Sequence, residues 1–329
     1  MNPIVIAHRT AAAAVLLTGC SAPSPAQPRA AHLTDSTYDG RLWVPDGLEV
    51  TEFAKVPRAR FMALAPDGSI YVSQPGSRQV TRLVDADGDG VAERQSVAVS
   101  DLDRPHGLAF RDGWLYIANT GAVVRVRLGA DGAATGAPEP VASYSTGGGH
   151  WTRTVIFGPD GGMYVAIGST CNICVEATPD RAAVMRYDAD GRNGRVYSSG
   201  LRNAVGLAVH PQTREIWVTQ HERDNLRPDH ENLPPEEINI LRDGAHYGWP
   251  YCHSDRVPSP DESVHDPSKC PSTLPPALAL QAHSAPLGIT FLGGATRIPA
   301  QFRGDALVAY HGSWNRTEPT GAKVVRIRV

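Results

Sequence analysis

The sequence predicts an all-β chain folded as a β-propeller, on three observations. First, a strand–turn–strand unit recurs at MALAPDGSIYVSQ (62–74), GLAFRDGWLYIAN (107–119), TVIFGPDGGMYVAIG (154–168) and GLAVHPQTREIWVTQ (206–220). Each copy is a short apolar strand, a turn carrying Asp-Gly or an equivalent, and a second strand alternating around an aromatic residue. Second, the copies start about 45 to 50 residues apart up to the fourth gap, and strands of Val-x-Arg character follow them at QVTRLV (79–84), VVRVRL (123–128), AVMRYD (183–188), INILRD (238–243) and VVRIRV (324–329). A four-stranded unit at that period is a propeller blade. Third, 32 Gly and 27 Pro among 329 residues supply the turns, and no stretch has the 3.6-residue apolar period of a long amphipathic helix.

A fifth, looser copy runs from GITFLGG (288–294) to DALVAYHG (305–312) after a long insertion in the fourth gap. About five blades are therefore recognisable within 41–329. The sequence reaches Val329 inside the fifth repeat's last recognisable strand, so a final blade is expected to be missing. The strand expected around LEVTEF (48–53), which would close a ring, then lacks its usual neighbour.

Composition removes some function classes. A net charge of −3 and a pI near 6.5 leave no electrostatic footprint for nucleic acid. At the N-terminus, Arg9, the apolar run AAAAVLL (11–17) and the small residues after it describe an export signal, too short to span a bilayer. Its ending, LTGC, resembles a bacterial lipobox. Residues 1–20 are expected to be a lipoprotein signal peptide with Cys20 as the lipidated residue, and 21–40 a flexible tether rich in Pro, Ala and Ser. The protein is then expected in the cell envelope, anchored to the membrane by lipid alone and facing the periplasm, or secreted if the lipobox is not used.

Four cysteines remain in an exported chain, where disulfides are the default. The expected pairing is local, Cys171–Cys174 and Cys252–Cys270, although four cysteines allow three connectivities. A redox or metal role for Cys171-Asn172-Ile173-Cys174 is the weaker alternative. No helix start accompanies the motif, and no second CxxC completes a zinc site.

In a propeller the first strand of each blade lines the axis, so residues just ahead of those strands converge on a central pocket. Here they are polar: Arg60, His106, His150 and Arg153, Arg202 and Asn203, and His283. Such a ring of cations and imidazoles points to an anionic ligand with a base beside it.

The segments GGGHWTRTVIFGPDG (147–161), GSTCNIC (168–174), GLRNAVGLAVHP (200–211), PPEEINILRDGAHYGWPYC (234–252) and FRGDALVAYHGSWNR (302–316) together resemble the pyrroloquinoline quinone (PQQ)-dependent soluble glucose/sorbosone dehydrogenases, in particular the sorbosone and aldose branch. The resemblance covers about 41–329 and implies a six-bladed propeller that oxidises a small sugar with PQQ and Ca²⁺, passing electrons to a periplasmic acceptor. It implies His150 as the general base, with Arg202 and Asn203 beside the quinone oxygens. Arg60, His106 and Arg316 would make further cofactor contacts. In QHERDNL (220–226), Glu222, Arg223 and Asp224 would hold the Ca²⁺, the first two through their carbonyls. Ser169 stands where the glucose-oxidising branch has the Asp that orients the histidine, which leaves that orienting partner to be found. The stretch DADGDGVAE (85–93) imitates an EF-hand loop but has Ser96 at the twelfth position, so a hairpin turn is expected there. Two competing readings remain: a Ca²⁺-dependent lactonase-type hydrolase, which needs acidic side chains at the axis, and a non-catalytic binding propeller.

Overall fold

Turn chemistry sets the hairpins. In the first repeat Asp67 Oδ1 accepts the Ser69 amide at 3.0 Å and its hydroxyl at 2.6 Å, while Gly68 takes a φ of 85°. An Asp followed by a glycine in the left-handed region closes such a turn without strain. Asp160 accepts the Gly162 amide in the same way at 3.1 Å. The fourth repeat has no Asp-Gly, and His210 Nδ1 stands in, accepting the amides of Gln212 and Thr213 at 3.2 and 3.1 Å.

The computed structural model describes residues 30–32, 42–45, 48, 50–293 and 298–329. The signal peptide and lipidation site expected at 1–20 lie outside the described residues, as does most of the tether. Within 21–40 only Ala30–His32 is described, as a strand paired antiparallel with Trp43–Pro45. No helix among the described residues is long and apolar enough to cross a membrane.

Five antiparallel blades follow. Blade one is Phe61–Leu64, Ile70–Gln74, Gln79–Val84 and Arg94–Val99, and blade two is Leu108–Arg111, Trp114–Ala118, Ala122–Arg127 and Glu139–Ser143. Blade three is Arg153–Phe157, Met163–Ile167, Ala183–Tyr187 and Arg195–Ser199, with Ala245–His246 added in parallel at its edge. Blade four is Ala204–Val209, Ile216–Gln220, Glu236–Ile240 and Leu278–Leu280, and blade five is Pro286–Phe291, Ala306–Tyr310 and Lys323–Ile327. The described residues of 48–53 form no strand; Phe53 instead accepts the Ala92 amide through its carbonyl at 2.8 Å.

The recurring arginine now has a cause. An arginine on the third strand, or just past it in blade four, reaches back to the turn of the same blade's first hairpin: Arg82 to Asp67 at 2.7 Å, Arg186 to Asp160 at 2.8 Å and Arg242 to Glu215 at 2.6 Å, with Arg326 on Asp305 in blade five. Blade two varies the device, and Arg127 donates to the carbonyl of Asp112 at 2.9 Å.

Apolar side chains pack between blades rather than within them. Leu115 and Ile117 of blade two meet Tyr71 and Val80 of blade one. Ala118 and Val123 of blade two meet Val155, Met163 and Val165 of blade three. Tyr164 and Val184 meet Leu207 and Val218 at the third interface, and Trp217 and Ile238 meet Ala306 and Val308 at the fourth.

At the axis the first strands approach too closely for a side chain. A Cβ on Gly107 would lie 2.7 Å from the Thr154 Cα, and one on Gly206 would lie 2.2 Å from the Leu287 carbonyl oxygen. The same contacts carry hydrogen bonds across blades: the Gly107 amide to the Arg153 carbonyl at 2.8 Å, Thr154 Oγ1 to the Val205 carbonyl at 2.5 Å and Thr219 Oγ1 to the Leu287 carbonyl at 2.6 Å.

The insertion between Ile240 and Leu278 folds over the outer edge of blade three and contains the Cys252–Cys270 disulfide. Cys171 and Cys174 pair in the loop that leaves blade three's second strand.

Gly107→Ala is expected to destabilise the fold by about 1–3 kcal/mol, because the methyl meets backbone that has no room to move. Gly136→Ala, where nothing lies within 4 Å of the added Cβ, is the control and should stay within about 0.5 kcal/mol of wild type. Urea unfolding of the two variants checks both.

Candidate functional site

The polar ends of the first strands enclose a cavity of about 280 Å³ at the axis. Arg60, His150, Arg202, Asn203, Glu222, Asp224 and His283 line it, together with the unforeseen Trp151, His221, Glu236, His311 and Trp314.

His150 is held by its Nδ1, which lies 2.8 Å from Ser169 Oγ and 3.0 Å from the Ser169 carbonyl. The serine hydroxyl donates to the Cys171 carbonyl at 2.6 Å, so its oxygen faces the imidazole as an acceptor. The proton therefore sits on Nδ1, and Nε2, with no partner among the described residues, presents a lone pair. Burial, with Arg202 and Arg181 adding positive charge nearby, lowers the His150 pKa to about 4. At neutral pH this is an uncharged imidazole. The orienting partner left open by the sequence is thus Ser169 itself. Arg153, buried behind the cavity, donates to the His150 carbonyl at 2.7 Å and fixes the turn before the strand.

Arg202 is buried, and most of its donors are engaged by the protein. Nε bonds the Asn172 carbonyl at 3.0 Å, Nη2 bonds Asn172 Oδ1 at 2.9 Å and Nη1 bonds the Glu222 carbonyl at 2.9 Å. It brings charge to the cavity more than free N–H groups. Asn203 donates Nδ2 to His221 Nδ1 at 3.4 Å, and His221 donates Nε2 to the Pro286 carbonyl at 2.9 Å. Asn203 Oδ1 is buried without a partner among the described residues.

The acidic side of the cavity divides by solvation. Asp224 lies 3.6 Å from Arg202 and 3.5 Å from His283 Nδ1. Burial opposes its charge, but His283 and Arg202 outweigh that and hold its carboxyl below the usual range. Burial also opposes charge on His283, and Asp224 and Glu236 more than offset it, raising its pKa. Glu236 is buried, and its pKa is pushed up to about 8 although it accepts the amides of Glu222 at 2.8 Å and Ala285 at 3.0 Å. The Glu222 carboxyl is likewise raised by burial; it is engaged by Gln220 and by the Arg223 amide at 3.2 Å.

Four sequence-predicted residues lie off the cavity lining, Arg153 behind it among them. His106 is buried beneath it, with Nδ1 2.9 Å from the Arg153 carbonyl and its ring against Phe61 and Trp151. The Arg223 side chain turns to Asp261 at 3.4 Å in the insertion. Arg316 bonds the carbonyl of Glu231 and, at 3.3 Å, that of Glu318. Away from the axis, the 85–93 turn brings one oxygen each from Asp85, Asp87, Asp89 and Glu93 within 4.8 Å of one another.

The donor set suits a flat polyanion. The Arg60 side chain stands at the rim with no hydrogen bond among the described residues, its guanidinium carbon 6.0 Å from the Trp151 ring centroid. Among the described residues His283 Nε2 and Asn203 Oδ1 are buried without a hydrogen-bond partner; the first can donate to an anion, and the second, an acceptor, suits a ligand hydroxyl or a cation. For a hard cation the site offers the ionised Asp224 carboxylate and the Glu222 and Arg223 carbonyls, the Glu222 oxygen being shared with Arg202.

The profile of the TrAA12-like family matches residues 43–329. The chain belongs to that family. The pyrroloquinoline quinone-dependent pyranose dehydrogenase of Coprinopsis cinerea is 30% identical over 221 residues, 54% of this chain and 29% of that protein. The pyrroloquinoline quinone-dependent sugar dehydrogenase of Hypocrea jecorina is 25% identical over 208 residues, 50% of this chain and 46% of its own length. The matched region spans less than half the length of these curated relatives. A calcium structure of the Trichoderma reesei family AA12 enzyme superposes with a TM-score of 0.75 at 22% identity, covering 85% of this chain and 80% of that one, so this family member shares the propeller fold.

Burial lowers the His106 pKa to about 4, against about 6.5 when unfolded. Between those values the unfolded chain binds a proton that the folded one excludes. The contribution of His106 to stability is complete above pH 6.5 and falls by about 1.4 kcal/mol per pH unit towards pH 4. His106→Gln should therefore be most destabilising relative to wild type at pH 7, with the difference shrinking towards pH 4. Denaturant titrations at pH 7, 5.5 and 4 measure it.

Proposed function

We propose that the chain is a PQQ- and Ca²⁺-dependent dehydrogenase of an aldose or related sugar, of the sorbosone-like kind, with His150 as general base. The observation that carries this reading is His150 itself: a neutral imidazole, oriented through Nδ1, with Nε2 open to a cationic cavity. Further support comes from the family match and from relatives named for PQQ-dependent sugar oxidation. A lactonase would need several acidic groups free to act at the axis, whereas of the three acids lining the cavity only Asp224 is held ionised, beside His283 and Arg202, and Glu222 and Glu236 are buried with raised pKa values and bonded to backbone amides.

Arg60, Arg202 and Asn203 would hold PQQ, and Asp224 with the Glu222 and Arg223 carbonyls would hold Ca²⁺. Bound there, PQQ supplies the two-electron acceptor that no side chain provides. The protein's part is a proton transfer. His150 Nε2 takes the proton of a sugar hydroxyl as the same carbon gives up a hydride, leaving a carbonyl. Ser169 keeps the ring in the tautomer that can accept, and Arg202 lends fixed positive charge beside the developing anion. On this reading the LTGC segment, which resembles a lipobox, would anchor the enzyme to the envelope through lipid at Cys20, facing a periplasmic electron acceptor, or the enzyme is secreted if the lipobox is not used.

Purified protein given PQQ, CaCl₂, an artificial electron acceptor and a panel of sugars tests the reading. His150→Gln should lower kcat by about 10²–10⁴-fold while PQQ affinity stays near wild type. Unchanged turnover at verified PQQ occupancy would overturn the assignment. Because the folded His150 pKa lies near 4, the acid limb of kcat/KM should fall there rather than near pH 6.5, as protonation removes the lone pair.

A further inference from the structure

Asn172, between the paired cysteines 171 and 174, is bonded from several directions. Its carbonyl accepts Arg202 Nε at 3.0 Å and Trp249 Nε1 at 3.2 Å. Its Oδ1 accepts Arg202 Nη2 at 2.9 Å and the Asp224 amide at 2.9 Å, and its Nδ2 donates to the Asp224 carbonyl at 3.0 Å. The side chain thus meets both backbone groups of Asp224 as a neighbouring strand would, while also holding the guanidinium. Only a planar amide of this length does both: Asp lacks the donor, and Gln places its amide one methylene further out.

The loop that presents Asn172 is closed by the Cys171–Cys174 disulfide across a separation of three residues, which limits the conformations it samples. The same loop accepts the Ser169 hydroxyl that faces His150. One short loop therefore sets the base, the cation and the acidic loop relative to each other. Without the Asn172 side chain, Arg202 Nη2 and the Asp224 backbone lose the amide that joins them, and the Asp224 carboxylate at 3.6 Å becomes the nearest alternative acceptor for Nη2, so the separation of the guanidinium from the 222–224 loop is no longer fixed.

We propose that Asn172 is a positioning residue, the clamp that fixes Arg202 and the 222–224 loop in the geometry that receives the planar, polycarboxylate quinone. The proposal rests on the functional reading above for the identity of the ligand, and on the hydrogen bonds alone for the clamp.

The test uses the full chain with Asn172→Ala and Asn172→Asp. PQQ is titrated in CaCl₂ without sugar, followed by quenching of tryptophan fluorescence. Hydrogen exchange over 221–226 is measured on PQQ-free protein. Asn172→Ala should raise the PQQ Kd at least tenfold and speed exchange in 221–226, with exchange in the strands of blades one and two unchanged. Asn172→Asp restores the acceptor for Arg202 but not the donor to the Asp224 carbonyl, and its Kd should lie between the other two. Wild-type affinity and wild-type exchange in Asn172→Ala overturn the clamp. So does a loss of affinity in both variants accompanied by faster exchange throughout the chain, which marks a merely structural residue. A wild-type chain that takes up no PQQ sinks the functional reading instead, and the exchange measurement then decides the clamp by itself.

Discussion

The close approach of the first strands around the axis is the constraint on which the rest of the molecule depends. Gly107 and Gly206 let backbone meet backbone, and Thr154 and Thr219 then bond across to the next blade. This fixes the spacing of the first strands, and with it the positions of the residues just before them. Arg60, His150, Arg202, Asn203 and His283 face one cavity because their strands are locked to each other, although they are far apart in sequence.

Around that cavity the protein separates charge by solvation. His150 and His221 are kept neutral by burial, and Glu222 and Glu236 are pushed towards neutrality by the same effect. Asp224 keeps its charge because His283 and Arg202 stand beside it. Arg202, though buried, is surrounded by carbonyl oxygens. The result is a wall whose net sign favours an anion and whose His150 imidazole stays uncharged, with its Nε2 lone pair free, at neutral pH.

The blades were legible because their signals are local. A strand period of two, an Asp-Gly turn and a recurring arginine each lie within a few residues, and all five blades appear where those patterns place them. Even the arginines, read only as a repeating letter, prove to be staples within each blade. The cavity was partly legible, since residues just ahead of first strands must converge. Where the reading depended on which way a side chain turns, local pattern gave no information. His106 occupies the same sequence position relative to its strand as the lining residues do, yet its ring packs between Phe61 and Trp151. Arg316 and Arg223 turn to other loops for the same reason. Glu236 and His221 were missed because each lies at a strand end away from the first-strand positions. Ser169 was noticed as a departure, and only the hydrogen bond through its hydroxyl shows what replaces the carboxylate.

The division of labour between arginine staples and interblade cores bears on how the molecule comes apart. Each staple ties a strand to its own hairpin, so a sheet holds its shape using residues from one stretch of chain. The apolar surface is shared between consecutive sheets, so a lone sheet would leave both faces wet. The smallest unit able to persist is therefore a sandwich of two neighbours. Stability in such a chain comes from neighbouring sheets seating on one another, each shared apolar face serving both. The first-strand loops, which depend on several sheets being seated together, would be the last features to form and the first to lose their alignment.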